Sequence, residues 1–262
     1  MKAYVINLPR ATARREAMKE RLSVTPLADA EFVDGVDGRA MTQQQREAAF
    51  DYNRFGHIFD APPLPGEVGC ALSHYKLWEM IAADNEPAII MEDDILIDGD
   101  LTPYIDWIEK WMDSEAPRAV LLTHFFVYNP DTLTREKGHL DTARATQAYG
   151  AIFYAINPAG ARLILNLGKP AYVADDWRYF SRHGLDVRCF LEHPVDIIAN
   201  DNTLIGCRVG YNLDAVENFR YSCMRSYPAI DYMLYMTLGN KFKVSTGRWR
   251  IHMREAKSVK KS

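Results

Sequence analysis

No two cysteines in this 262-residue sequence stand close enough to clasp a metal or close a short redox loop. Cys70, Cys189, Cys207 and Cys223 are far apart, and no CxxC occurs. Neither a disulfide framework nor a four-cysteine zinc site follows from that spacing. Long apolar runs are also missing. The longest, Ala151–Ile156, has six residues, against roughly 20 for a membrane-crossing helix. The opening MKAYVINLPRATARRE lacks the apolar core and small-residue cleavage site of a signal peptide. There is no basic excess: 31 lysines and arginines face 35 aspartates and glutamates, a formal charge of −4. A dedicated nucleic-acid binder would carry its phosphate contacts as surplus lysine and arginine, so that class is excluded. These absences predict a soluble protein of a reducing, cytoplasmic compartment.

What is present is ordinary globular composition, with 48% hydrophobic and 25% charged residues. Short β-branched segments alternate with amphipathic ones, the signature of an α/β fold with a mixed, mostly parallel central sheet flanked by helices. Strands are predicted at Ala3–Leu8, Glu31–Val33, Ala88–Met91, Ala119–Phe126, Ala151–Ile156, Val187–Leu191 and Val195–Ala199. Helices are predicted at Ala11–Leu22, at Thr42–Phe50 with Thr42 as cap, and from Glu67 to Ala83. A further helix runs from the Asn157-Pro158 cap to Leu167. Between them, Asp51–Gly66 reads as a long irregular stretch holding Pro62, Pro63 and Pro65. The sequence predicts one domain over residues 1–240, in two halves of about 1–125 and 126–240. Residues 241–262 form a basic tail.

Three segments carry chemistry. MEDDILIDGD, Met91–Asp100, puts five carboxylates in ten residues at the end of an apolar strand. Ligands of open α/β sheets sit at that edge. Glu92, Asp93 and Asp94 repel one another unless a cation or donors neutralise them, and a hard divalent ion such as Mn²⁺ or Mg²⁺ is the natural counter-charge. A solvated acidic turn is the plain alternative. GEVGCALSHYKLWEM, Gly66–Met80, places Cys70 and His74 one helical turn apart, but no second pair completes a zinc site. Its Ser73 and His74 are polar residues in an apolar helix, either satisfied locally or reaching a ligand. VINLPRATARR offers an anion-friendly turn with Arg10, Arg14 and Arg15, and it has none of the glycines of Rossmann or P-loop sites.

Taken together and in order, these segments resemble glycosyltransferase family 25, which includes bacterial lipopolysaccharide glycosyltransferases and collagen-modifying galactosyltransferases. The carrying residues are Ile6-Asn7-Leu8 with Arg10 and Arg14, the turn Phe32–Gly38, Gly66 to Trp78 (GE-GC--SH---W), Glu92–Asp94, and YGAIFYAINPAGA at Tyr149–Ala161. The resemblance implies a GT-A-like nucleotide-sugar-binding catalytic domain with a donor-binding half of about 1–125 and an acceptor-side half of about 126–240, a UDP-sugar donor with galactose ahead of glucose, and inversion at the anomeric carbon. It implies a metal held at the acidic motif by Asp94 and Glu92, and donor contacts from Asn7, Leu8, Arg10, Arg14, Asp34, Asp37, Gly38, Ser73, His74, Glu92 and Asp93. Asp176 falls in register with the family's "P-D---F" element, which assigns it as general base with Asp175 as deputy. The acceptor implied is a saccharide or lipid-linked oligosaccharide in lipopolysaccharide or lipooligosaccharide assembly.

Two other readings compete: a metal-dependent nucleotidyltransferase, and a sugar-nucleotide- or glycan-binding module without turnover. The tail adds one further expectation. Eight lysines and arginines from Lys241 to Lys261 interleave with Trp249, Ile251 and Met253, a pattern suited to an anionic membrane surface and to a peripheral protein at the inner face of the cytoplasmic membrane.

Overall fold

The computed structural model describes residues 1–59, 62–123, 125–128, 130–136 and 140–198. The basic tail, Cys207, Cys223 and the end of the Val195–Ala199 strand lie outside the described residues. The chain runs β1 (Lys2–Asn7), α1 (Thr12–Leu22), β2 (Glu31–Asp34), α2 (Gln43–Ala49), α3 (Tyr52–Phe59), α4 (Pro65–Asp84), β3 (Ala88–Glu92), β4 (Ile95–Ile97) and α5 (Thr102–Met112). It continues β5 (Arg118–Leu121), β6 (Phe125–Tyr128), β7 (Thr142–Tyr149), β8 (Phe153–Ile156), α6 (Pro158–Leu165), α7 (Trp177–Arg182), β9 (Asp186–Phe190) and β10 (Val195–Ile197).

Eight strands form one mixed sheet in the order β2-β1-β3-β8-β5-β9-β7-β6, and β4 pairs with β10 apart from it. Parallel pairing joins β1 to β2, β1 to β3 and β5 to β9. The other four pairs in the sheet are antiparallel, so parallel contacts do not predominate as the alternating pattern predicts. The reason is β8, which inserts between β3 and β5 and runs against both. That insertion also interleaves the two expected halves of the domain in a single sheet.

The sheet is covered on both faces, which is why its central strands read as continuous apolar runs. Successive residues alternate between two cores. Ile90, Leu121, Tyr154 and Ile156 pack with Trp78 and Ile81 of α4, Ile164 of α6 and Trp177 of α7. Ile89, Met91, Val120 and Phe153 pack with Met18 and Leu22 of α1 and with Ile108 and Met112 of α5. Among the described residues, no helix is long and apolar enough to cross a membrane.

The predicted capping holds. Thr42 accepts from the Gln45 N–H while Gln45 reaches back to the Thr42 N–H, and Asn157 accepts from the Gly160 N–H. The irregular stretch predicted for Asp51–Gly66 instead contains α3. Asp51 caps it by accepting from the Arg54 N–H, and fully buried Phe55 pins it against Phe50 and Val68. The strand predicted for Ala119–Phe126 breaks after Leu121 into β5 and β6.

One backbone contact sets the site. The turn after β2 lies directly on the first turns of α4, and glycines make that approach possible. A Cβ on Gly38 would stand 1.8 Å from the Pro65 carbonyl oxygen, and one on Gly69 would stand 2.5 Å from that of Val36. Both obstacles are backbone and cannot swing away. Gly38→Ala is therefore expected to cost about 3 kcal/mol of stability, the upper end for overpacking. Gly56→Ala in α3, where a Cβ meets nothing within 4 Å, should gain about 0.5–1 kcal/mol. Urea midpoints of the two variants check the contrast.

Candidate active site

Parallel pairing brings the three motifs to one edge. Asn7 aligns with Asp34, and Ile6 with Glu92, so β1, β2 and β3 all end at the same side of the sheet. The first half of α4 crosses that edge. The result is an open cleft of about 640 Å³ walled by Ile6, Leu8, Arg14, Val36, Asp37, Gly38, Gly66, Cys70, Ser73, His74, Glu92, Asp93 and Asp94. Nine of the predicted donor and metal residues thus share one surface.

The other three do not reach the wall. Asn7 is buried beneath it, donating to the Asp93 carboxylate at 2.6 Å and to the Ala11 carbonyl at 3.2 Å. Asp34 points outward, with its carboxylate 3.7 Å from Arg15. Arg10 ties the turn to the β1 exit through Asp37 at 2.6 Å, and that guanidinium holds the Asp37 carboxyl below its usual range. Ser73 lines the cleft but is occupied in holding the turn: it accepts from the Val36 N–H at 2.8 Å and donates to the Gly69 carbonyl at 2.7 Å.

The acidic cluster is organised by one arginine. Arg14 spans Asp93 and Asp94, with both contacts at 2.7 Å. Burial nevertheless pushes both carboxyls above the normal range, and for Asp94 the Glu92 charge adds to burial while Arg14 opposes it. Three carboxylates face one guanidinium, a local balance of 1 − 3 = −2. That excess of buried oxygen charge fits a hard divalent ion. Asp93 gives one oxygen to Asn7 and the other to Arg14, whereas Asp94 gives only Oδ2 to Arg14 and Glu92 only Oε1 to His74. Among the described residues, Asp94 and Glu92 therefore retain the carboxylate oxygens suited to an ion.

His74 is buried at 1% exposure. Its Nδ1 lies 2.8 Å from the Tyr154 hydroxyl, which accepts from the Trp78 indole N–H at 2.9 Å. Its Nε2 lies 3.4 Å from Glu92 Oε1. The Sγ of Cys70, the His74 nitrogen and the Glu92 oxygen are within 4.8 Å of one another. Burial holds the Cys70 thiol well above its ordinary range, and the charges of Glu92, Asp175 and Asp94 add to the shift.

A second cleft of about 650 Å³ opens on the other side of Cys70 and Glu92, which line both. Its remaining walls are Glu67, Gly150, Ala151, Ile152, Val173, Ala174 and Asp175. Gly150, at φ +85°, takes a left-handed turn that glycine adopts without strain. Its N–H donates to Asp175 Oδ2 at 2.8 Å, and its carbonyl accepts from the Trp177 indole N–H at 3.0 Å. Asp176 is oriented differently: 7% exposed, it is the N-cap of α7 and accepts from the Tyr179 N–H at 3.4 Å. Of the adjacent acids, Asp175 faces a cleft and Asp176 holds a helix. The sequence reading missed Gly150 and Tyr154 as parts of the site, although both lie inside the YGAIFYAI segment it singled out.

Comparison with known proteins gives the family. The family model described as glycosyltransferase family 25 (LPS biosynthesis protein) matches residues 1–178. A protein of Acanthamoeba polyphaga mimivirus named as a glycosyltransferase is 31% identical over 158 residues, covering 59% of this chain and 47% of that protein. The human procollagen galactosyltransferase 2 is 34% identical over 96 residues, 35% of this chain and 15% of that one. The human inactive glycosyltransferase 25 family member 3 is 28% identical over 172 residues, 62% of this chain and 28% of its own length. The chain thus spans less than half the length of each of these relatives. With the matched segment covering the lining residues of both clefts, the chain belongs to glycosyltransferase family 25.

Proposed function

We propose that this chain is an inverting, divalent-metal-dependent hexosyltransferase that moves galactose, or next glucose, from a UDP-sugar to a saccharide acceptor of lipopolysaccharide or lipooligosaccharide assembly. The observation that carries this reading is the pair of clefts meeting at Glu92 and Cys70, one rich in carboxylates and the other presenting Asp175. A two-substrate transfer needs that layout: a polyanionic donor on one side, an acceptor hydroxyl on the other, and the reacting carbon between them.

In this reading Arg14 and the β1 turn hold the nucleotide diphosphate. A bound Mn²⁺ or Mg²⁺, held by Asp94 and Glu92, supplies neutralisation of the charge that grows on the leaving phosphate. The base is reassigned from Asp176 to Asp175. Asp175 takes the acceptor hydroxyl proton as that oxygen bonds to the anomeric carbon. The bond from that carbon to the phosphate oxygen breaks on the opposite face, UDP departs, and the configuration inverts. Gly150 fixes the Asp175 carboxylate in place for this role.

A binding-only reading has two observations in its favour. Arg14 already pairs with both Asp93 and Asp94, and a human relative carries the name inactive. One experiment separates the readings: UDP release from a panel of UDP-sugars, with and without Mn²⁺ and saccharide acceptors. Acceptor-dependent UDP release that requires the metal is expected. Donor binding without UDP release would establish the binding module. Pyrophosphate release from UTP and a sugar phosphate would establish the nucleotidyltransferase.

A further inference from the structure

Two of the three side chains at the junction of the clefts, Cys70 and His74, are of a kind that the hard-ion chemistry does not use. Cys70 and His74 stand one turn apart on α4, and Glu92 closes β3 beside them, with one ligand atom of each inside a 4.8 Å triangle. Sulfur, imidazole nitrogen and a single carboxylate oxygen are a donor set for zinc-class ions, not for Mg²⁺.

The geometry of His74 adds an independent observation. A charge-assisted N–H to carboxylate bond spans about 2.7–2.9 Å, and the His74 Nε2 to Glu92 Oε1 separation is 3.4 Å. Two ligands each about 2.0 Å from a tetrahedral zinc ion stand about 3.3 Å apart, close to that separation. The far nitrogen of His74 is anchored in the manner of a metal-bound imidazole: Nδ1 meets the Tyr154 hydroxyl at 2.8 Å, and the Trp78 indole N–H fixes that hydroxyl in turn. In the tautomer that donates Nδ1–H to Tyr154, the Nε2 lone pair is left for an ion held against Glu92.

We propose that Cys70, His74 and Glu92 form a binding site for one zinc-class divalent ion, beside the Asp94 position, with which it shares Glu92, and open to both clefts. The thiol releases its proton to solvent as sulfur, nitrogen and oxygen bind the ion. The fourth position faces the space shared by the clefts, since Cys70 and Glu92 line both. Three protein ligands with one open position is the arrangement of reactive zinc sites, whereas structural ones are closed. The ion therefore lies where donor and acceptor meet.

The test titrates the full-length, reduced protein anaerobically with Co²⁺ and follows its spectrum. One equivalent is expected to give visible tetrahedral bands and a near-ultraviolet thiolate-to-cobalt band, both removed by Zn²⁺. Cys70→Ser should abolish the thiolate band. Tyr154→Phe keeps the core shape, removes the anchor of His74 together with the acceptor of the Trp78 indole N–H, and should weaken Zn²⁺ binding by about tenfold. Asp94→Asn should leave the band in place. Absence of any thiolate band, its persistence in Cys70→Ser, or its loss in Asp94→Asn would each overturn the proposal. The spectrum is read without turnover, so this failure leaves the transferase reading standing, and failure of the UDP assay leaves this one standing.

Discussion

Asp94→Asn is expected to lower kcat by at least about two orders of magnitude, close to 3 kcal/mol of transition-state stabilisation. The substitution keeps shape and removes one charge from the oxygen set suited to the ion. Arg14 keeps its contact with Asp93, so the local balance changes from −2 to −1 without a new cavity. The folded state should not weaken. Burial and Glu92 raise the Asp94 carboxyl above its unfolded value, and a carboxyl raised on folding costs stability at pH values above its folded pKa. That cost fades as pH falls through the folded pKa, because the native state then binds the proton more readily than the unfolded chain. Asparagine removes the cost at every pH. The variant is therefore expected to melt no earlier than the parent at neutral pH, and the gap between them should close on acidification. A matched pair of measurements, kcat against Mn²⁺ concentration and Tm against pH, separates lost chemistry from lost folding. Full activity with unchanged Mn²⁺ dependence would remove Asp94 from the ion's ligands.

Much of this was written in the sequence where a local rule and the tertiary structure agree. Thr42 and Asn157 cap helices because each offers an oxygen to N–H groups left over at a helix start, a decision made within four residues. The acidic cluster was legible because an apolar strand ending in three acids is costly without a partner. Its partner, Arg14, lies 80 residues away, and only the parallel register of β1 and β3 brings the two together. The same holds for α3. Phe55 becomes a helix anchor only against Val68 of α4, and the prolines that follow hid the signal. Helix α5 could have been found: Tyr104, Trp107, Ile108 and Met112 are its buried face at helical spacing. Strand β8 was found, but its antiparallel insertion could not be. Direction within a sheet depends on which neighbours a strand chooses, and an alternating pattern of strands and helices carries only the average tendency.

Asp175 and Asp176 show the same limit at the scale of one residue, and they yield the sharpest contrast between variants. Motif register favours Asp176, whereas hydrogen bonding favours Asp175. Asp176 is spent on the first turn of α7, where its carboxylate accepts from the Tyr179 N–H. Asparagine caps a helix about as well as aspartate, so Asp176→Asn should keep both fold and activity, while Asp176→Ala should cost about 1 kcal/mol of stability. Asp175 lines the second cleft with one oxygen held by Gly150. A general base contributes about 10²–10⁴ in rate, so Asp175→Asn should lower kcat by that range. Donor KM and UDP binding should stay near the parent values, because the base acts on the other substrate. Asparagine retains the oxygen that Gly150 needs and loses only basicity, which keeps the second cleft intact. Steady-state kinetics with donor and acceptor varied separately decide the matter. A large rise in donor KM for Asp175→Asn would place that acid with the nucleotide, and a collapse of kcat confined to Asp176→Asn would return the base to the position that register alone assigns.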